Sequence, residues 1–177
     1  MAKFDLIGLG NALVDSEFHV TDSFLKKKGF EKGTMHLVDS DEQTNLLNSL
    51  EKEYGKPSLA CGGSATNTIF AASILGSSCS YICKVGNDKN GNFYLDDLSD
   101  AGVNIDHSVM LDSNINSGTC TVMVSPDAER TMSTCLGISS DLSATDVADE
   151  IFNDSKLIYL EGYMTVSYTH LTLPTMS

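Results

Sequence analysis

The sequence predicts an α/β protein built on a largely parallel sheet, with a smaller second β layer. Three observations carry this. Compact apolar runs recur at residues 4 to 9 (FDLIGL), 79 to 85 (CSYICKV) and 157 to 162 (LIYLEG), as in strands buried on both faces. Segments with apolar residues at helical spacing stand between them, and strands alternating with helices form parallel βαβ units. Residues 14 to 20, 34 to 39 and 119 to 135 leave that rhythm for short strands and a hairpin, which need a layer of their own.

In order, FDLIGL forms a first buried strand that ends at Gly10. Val14, Ser16, Phe18 and Val20 then alternate with Asp15, Glu17 and His19, which predicts a strand with one wet face. Residues 21 to 33, with KKKG and EKG, read as a solvated connection, and TMHLVD as a short strand. SDEQ at 40 to 43 predicts a capping box, with Ser40 as N-cap and Gln43 at the third helical position. Leu46, Leu47, Leu50 and Tyr54 repeat along that helix, and Gly55 and Pro57 end it. Residues 64 to 75 are apolar on most sides, which predicts a buried helix stopped by Gly76. After CSYICKV, the turn GNDKNG opens a helix that carries Phe93, Leu95 and Leu98 as far as Gly102. TCTVMV, the turn SPDAE and RTMSTC make the hairpin. Ser143 opens a helix with Val147 and Ile151 four apart, and LIYLEG closes the series as a buried strand.

Composition narrows the function. The 177 residues suffice for one ordinary domain or for part of a larger one. Hydrophobic content of 41% and charged content of 20% are globular values. The net charge of -13, from 24 acidic and 11 basic residues, argues against a basic grip on nucleic acid and serves solubility. No apolar run reaches the roughly 18 residues of a membrane span. The opening MAKFDLIGLG reads as no signal peptide. The five cysteines are odd in number and contain no CxxC pair, which predicts reduced, mostly buried thiols in a cytoplasmic protein. No second Cys pair or nearby His completes a zinc site.

Two glycine motifs carry the chemistry. GLGN at 8 to 11 follows a strand, but Leu13 stands where a dinucleotide fingerprint has its third glycine. The next segment also alternates like a strand, whereas a pyrophosphate needs a helix N-terminus there. What remains is Asn11 and Asp15 close together at a strand end. CGGSATNT at 61 to 68 is not a phosphate-cradling Walker loop, because its nearest lysines are Lys56 and Lys84. Gly62 and Gly63 allow close backbone approach just before a helix whose first N–H groups point outward. Asn67, on the first turn, both donates and accepts. Such a loop suits a neutral polyhydroxyl ligand as well as an anion, and a purely structural turn is the alternative.

Together FDLIGLGNALVD, GGSATNT, KVGNDKNGNFYLDDLSDAGV and TVMVSPDAERTMSTCLG resemble the N-terminal part of the PfkB (ribokinase-like) family of carbohydrate and nucleoside kinases. The resemblance covers about residues 3 to 164 and is nearest to the adenosine-kinase-like sugar kinases of that family. It implies a partial α/β/α sandwich, ribokinase-like, over residues 1 to 164, with a small β-sheet lid from about 12 to 38 and 117 to 136. It also implies an acceptor site for a sugar or nucleoside made by Asn11, Asp15, Gly62, Gly63, Asn67 and Glu161, with Arg130 reaching substrate or phosphate from the lid. Phe18 and Tyr163 are the candidates for stacking on a base. ATP and Mg2+ are implied as cofactors, and pairing of lids implies a homodimer.

The departures from the family pattern matter as much. The DTxGAGD motif, which carries the family's catalytic base and anion hole, does not occur, and the ATP and NxxE-type magnesium motifs belong to the same missing half. No catalytic or metal-binding residue is therefore assigned, and a truncated, inactive acceptor half is expected. The alternative is a sugar- or nucleoside-binding module without chemistry. Residues 165 to 177 (TVSYTHLTLPTMS) depart from the family pattern and read as a foreign tail.

Overall fold

A computed structural model describes residues 2–112, 114–148 and 150–164. The first half runs β1 (Phe4–Leu9), β2 (Leu13–His19), α1 (Asp22–Lys28), β3 (Met35–Leu37), α2 (Ser40–Tyr54), β4 (Ser58–Gly62) and α3 (Ser64–Ile74). The second runs β5 (Cys79–Ile82), β6 (Lys84–Gly86), α4 (Lys89–Asp100), β7 (Val109–Leu111), β8 (Gly118–Val124) and β9 (Arg130–Cys135). It ends with two 3-10 turns (Gly137–Asp141 and Ala144–Asp146), α5 (Glu150–Asn153) and β10 (Ser155–Leu160). The α/β reading holds, second β layer included.

β1 is the central strand of a parallel sheet in the order β10-β1-β5, with Leu6 opposite both Leu157 and Cys79. Alternation along β1 divides its two faces. Leu6 packs with Ile69, Tyr81, Tyr94 and Leu98 under α3 and α4, and Ile7 and Leu9 pack with Leu142 and Ile151 on the other side. α3 lies so close to β1 that a β-carbon on Gly8 would fall 2.4 Å from Ile69. β6 and β7 form a short parallel pair beside this sheet.

The second layer is a five-stranded mixed sheet in the order β3-β9-β8-β2-β4. α1 and α2 cover one of its faces through Phe18, Val20, Phe24, Leu25, Leu46, Leu50 and Met123. Each such fully buried side chain is worth about 1.5–3 kcal/mol. Gln43 is 3% exposed and stitches α2 to this face: its amide donates to Thr121 Oγ1 (3.0 Å) and the Ser133 carbonyl (3.2 Å), and Ser133 Oγ donates back at 3.0 Å. The capping box therefore sits one residue earlier than the sequence suggests. Asp39 accepts from the Glu42 N–H at 2.8 Å and Glu42 answers at 3.4 Å, which leaves Gln43 to face the sheet.

Other differences have equally local causes. The connection at 21 to 33 contains α1, capped by Thr21 on the Phe24 N–H (3.2 Å) and closed by Gly29 at φ 77. Its three terminal lysines favour the helix C-terminus although they read as loop. β4 pairs antiparallel with β2 and joins the layer, because SLACG lies within reach of the edge that β2 leaves open. Ser143 closes its capping box with Asp146 over one 3-10 turn, and Asp146 is held by Lys84 at 2.8 Å, so the helix expected through Ile151 is broken. β10 forms as expected but is not buried: Leu157, Ile158 and Leu160 are 66%, 47% and 51% exposed at the sheet edge. α3 buries Ala65, Thr66 and Ile69 and leaves Ile74 and Leu75 open.

Candidate functional site

A cavity of about 420 Å³ lies between the second layer and the start of α3. Its walls include Asn11, Asp15, Gly63, Asn67, Arg130 and Glu161, brought from 150 residues of chain to one place. Gly62, the remaining predicted residue, sits behind Asp15: a β-carbon there would fall 2.0 Å from Asp15 Oδ1. Phe18, by contrast, is in the core beneath α1 and α2 and does not reach the cavity, whereas Tyr163 does.

Each element places its residue for a simple reason. β2 is flanked by β4 and β8, so Asp15 stands opposite Ala60 and Cys120 in the middle of the layer. Period-two alternation along β9 puts Arg130, Met132 and Thr134 on the same face, and β3 adds Met35 and Leu37. Gly63 precedes α3 at φ 102, and a β-carbon on it would meet the Asn11 carbonyl oxygen at 2.6 Å. Only glycine fits that turn, which lets the backbone press against the β1–β2 junction.

Gly63 offers α3 no side-chain cap. Glu161 supplies one from the end of β10. It is 2% exposed; Oε2 accepts from Ser64 Oγ (2.9 Å) and the Ala65 N–H (3.2 Å), and Oε1 accepts from the Asn11 N–H (2.7 Å). A carboxylate at a helix N-terminus is favoured by the exposed N–H groups and the helix dipole. That is the reason an acid ends an apolar strand, and it leaves Glu161 bracing the site with its oxygens already engaged.

Asp15 is the opposite case. Its carboxylate makes no hydrogen bond among the described residues, and neither do the side-chain amides of Asn11 and Asn67. Burial pushes the Asp15 carboxyl up to about 6; the Arg130 guanidinium opposes this and Glu17 adds to it. A half-buried acid kept short of donors binds groups that bring their own, such as hydroxyls. The aliphatic side chains Leu13, Met35, Leu37, Met132 and Leu136 form an apolar part of the wall. Of these, Met35, Leu37 and Met132 are foreshadowed by the alternation in MHL and RTMSTC, which puts them on one face of the second layer.

The donor set fits a neutral polyhydroxyl molecule with an apolar part. It does not fit a triphosphate, since Arg130 is the one cation lining the cavity. Among the described residues no group of three or more His, Cys, Asp or Glu side chains could hold a metal ion. Cys61, Cys79, Cys83, Cys120 and Cys135 are free thiols, and burial raises the Cys120 thiol in the cavity wall to about 11. Among the described residues no helix is long and apolar enough to cross a membrane.

The comparison with known families decides the kinship. Residues 34–175 match the pfkB family carbohydrate kinase. The chain belongs to that family. The match runs into the segment from 165 that reads as off-pattern, which lies outside the described residues. Among relatives, the chain is 30% identical over 171 residues to adenosine kinase of Saccharomyces cerevisiae, covering 92% of this chain and 49% of that protein. It is 33% identical over 100 residues to ribokinase of Dictyostelium discoideum, covering 55% of this chain and 31% of that protein. Its fold matches the adenosine kinase of Sinorhizobium meliloti with a TM-score of 0.82 at 36% identity, over 92% of this chain and 48% of that one. A probable sugar kinase of Rhizobium etli CFN 42 matches with a TM-score of 0.83 at 32% identity, over 94% and 49%. This pfkB-family chain spans about half the length of those two structures and of the yeast relative.

Proposed function

We propose that the cavity holds the acceptor of a phosphoryl transfer, a nucleoside or sugar whose hydroxyls donate to Asp15. The observation that carries this is the Asp15 carboxylate itself, half-buried, raised to about 6 and without a hydrogen-bond donor among the described residues. Asn11 and Asn67 complete the hydroxyl contacts, Gly63 lets the ligand approach the backbone, Gly62 leaves room for the Asp15 carboxylate, and Arg130 offsets charge from the lid side. The apolar wall of Met35, Leu37, Met132 and Leu136 favours a nucleoside over a free sugar, because a base buries there what a pentose alone leaves wet. The adenosine kinase relatives support the same preference.

In the whole protein, ATP supplies the phosphoryl group with Mg2+, and the second layer closes over the acceptor as a lid. This chain orients the hydroxyl and excludes water around it; orientation of that kind is a large share of phosphoryl-transfer catalysis. The catalytic base belongs to the family motif DTxGAGD, which is absent from this sequence. The chain thus binds an acceptor without turning it over. β3, the exposed edge of the lid with Met35 and Leu37, is where two lids pair into a dimer.

Incubation of the 177-residue chain with ATP, Mg2+ and adenosine, ribose or fructose tests the division of labour. No phosphorylated product is expected. Product formed at a rate proportional to chain concentration contradicts the assignment of the base to a missing motif.

A further inference from the structure

We infer that Tyr94 is a positioning residue for the acceptor site: its hydroxyl, on α4, holds the Gly62–Gly63 turn from the side away from the cavity. The inference rests on the reading of that cavity as an acceptor site.

Tyr94 lines no part of the cavity and is fully buried, yet its hydroxyl donates to the Gly62 carbonyl at 3.3 Å. It also shares a short hydrogen bond with Thr66 Oγ1, which is hydrogen-bonded at 2.9 Å to the hydroxyl of buried Tyr81. Three buried hydroxyls thus form one line that ends on the backbone of the turn. Burial raises both phenols well above their ordinary range, so they remain neutral donors at neutral pH. A buried network of this kind is costly unless fully bonded, and fully bonded it rigidifies what it touches.

What it touches is the most crowded point of the site. Asp15 Oδ1 lies 2.0 Å from where a Gly62 β-carbon would be, and Gly63 presses on the Asn11 carbonyl. α3, which carries Asn67, starts at the next residue. A shift of the Gly62 carbonyl therefore moves the seat of Asp15, the Asn11 contact and the start of the Asn67 helix together. Phenylalanine fills the same volume at 94 and removes only the hydroxyl.

The test uses the full 177-residue chain as wild type, Tyr94→Phe and Tyr81→Phe. Tyr81→Phe is the control, because it removes a hydroxyl of the same network that does not touch Gly62. Both variants are expected to melt cooperatively within about 5 °C of wild type. Tyr94→Phe weakens adenosine binding by about tenfold, the effect of one lost positioned contact. It also shifts the Gly63 amide NMR resonance in the ligand-free protein; Tyr81→Phe does neither to that extent. Equal affinity losses that track melting temperature in both variants, or an unmoved Gly63 resonance in Tyr94→Phe, overturn the inference. If wild type binds neither adenosine nor ribose, the acceptor reading fails, while the Gly63 resonance still decides whether Tyr94 holds the turn. Should Tyr94→Phe not fold, Thr66→Val, with Thr66→Ser restoring the hydroxyl, reads the same resonance: a shift reversed by serine supports the inference and no shift overturns it.

Discussion

The Asp15 carboxylate occupies the space that a side chain at Gly62 would need, with Oδ1 2.0 Å from the position of a β-carbon. Gly62→Ala therefore acts on Asp15. The colliding atom ends a rotatable side chain, so Asp15 swings aside and the fold persists. Adenosine affinity is expected to fall by at least about tenfold, one well-placed contact, with an unchanged circular dichroism spectrum. Gly63→Ala acts differently, since it meets the Asn11 backbone oxygen at 2.6 Å and must adopt φ 102. That strain costs about 1–3 kcal/mol, and the melting temperature should drop as well as the affinity.

Asp15 also makes the site sensitive to pH. Its carboxyl rises from 3.8 to about 6 on folding, with burial as the leading cause. The folded state holds that proton more tightly than the unfolded chain, so the contribution of Asp15 is neutral below about pH 4 and becomes destabilising as pH rises toward 6. Asp15→Asn should raise the melting temperature of the ligand-free protein at neutral pH and leave it unchanged below about pH 4. Hydroxyl binding needs the ionised form, so wild-type affinity should strengthen across the same interval. Melting and titration of both proteins on either side of that interval check the two trends.

Glu161 couples β10 to the site by stability. Its two oxygens serve the Asn11 N–H, Ser64 Oγ and the Ala65 N–H. Glu161→Gln keeps one oxygen and turns an amide toward donors, which costs about 1–3 kcal/mol for buried groups left unpaired. A lower melting temperature of the ligand-free protein is the expected reading. Unchanged melting would show that Glu161 does not brace α3.

The edge at β10 carries a liability. Leu157, Ile158 and Leu160 are 66%, 47% and 51% exposed on β10, which among the described residues pairs with β1 alone. Exposed apolar edges template association. Ile158→Lys should reduce the concentration-dependent light scattering of the chain without altering its circular dichroism spectrum.

The parallel core was legible because FDLIGL and CSYICKV have no polar face to misassign. LIYLEG has the same composition, yet its strand is exposed, since burial depends on what lies alongside and not on the strand's own residues. α1 was hidden by its lysines: only Phe24 and Leu25 are buried, too few to show a helical period. At the site, Asn11, Asp15, Gly63 and Asn67 were legible from two short motifs and do meet at one cavity. The contrast between Asp15 and Glu161 was not. Asp15 lies within β2 and Glu161 just past β10, and only the distances show that Glu161 is occupied by the Asn11 N–H and the start of α3 while Asp15 awaits donors. Tyr94 gave no signal at all, because its bond to Gly62 spans 32 residues.

The most direct measurement is calorimetric titration of adenosine into the 177-residue chain and into its Asp15→Asn variant at neutral pH. Saturable one-site heat from wild type, weakened at least about tenfold in the variant, is the predicted result. No heat from adenosine, ribose or fructose, or equal heat from both proteins, would contradict the assignment of Asp15 as the acceptor-binding carboxylate.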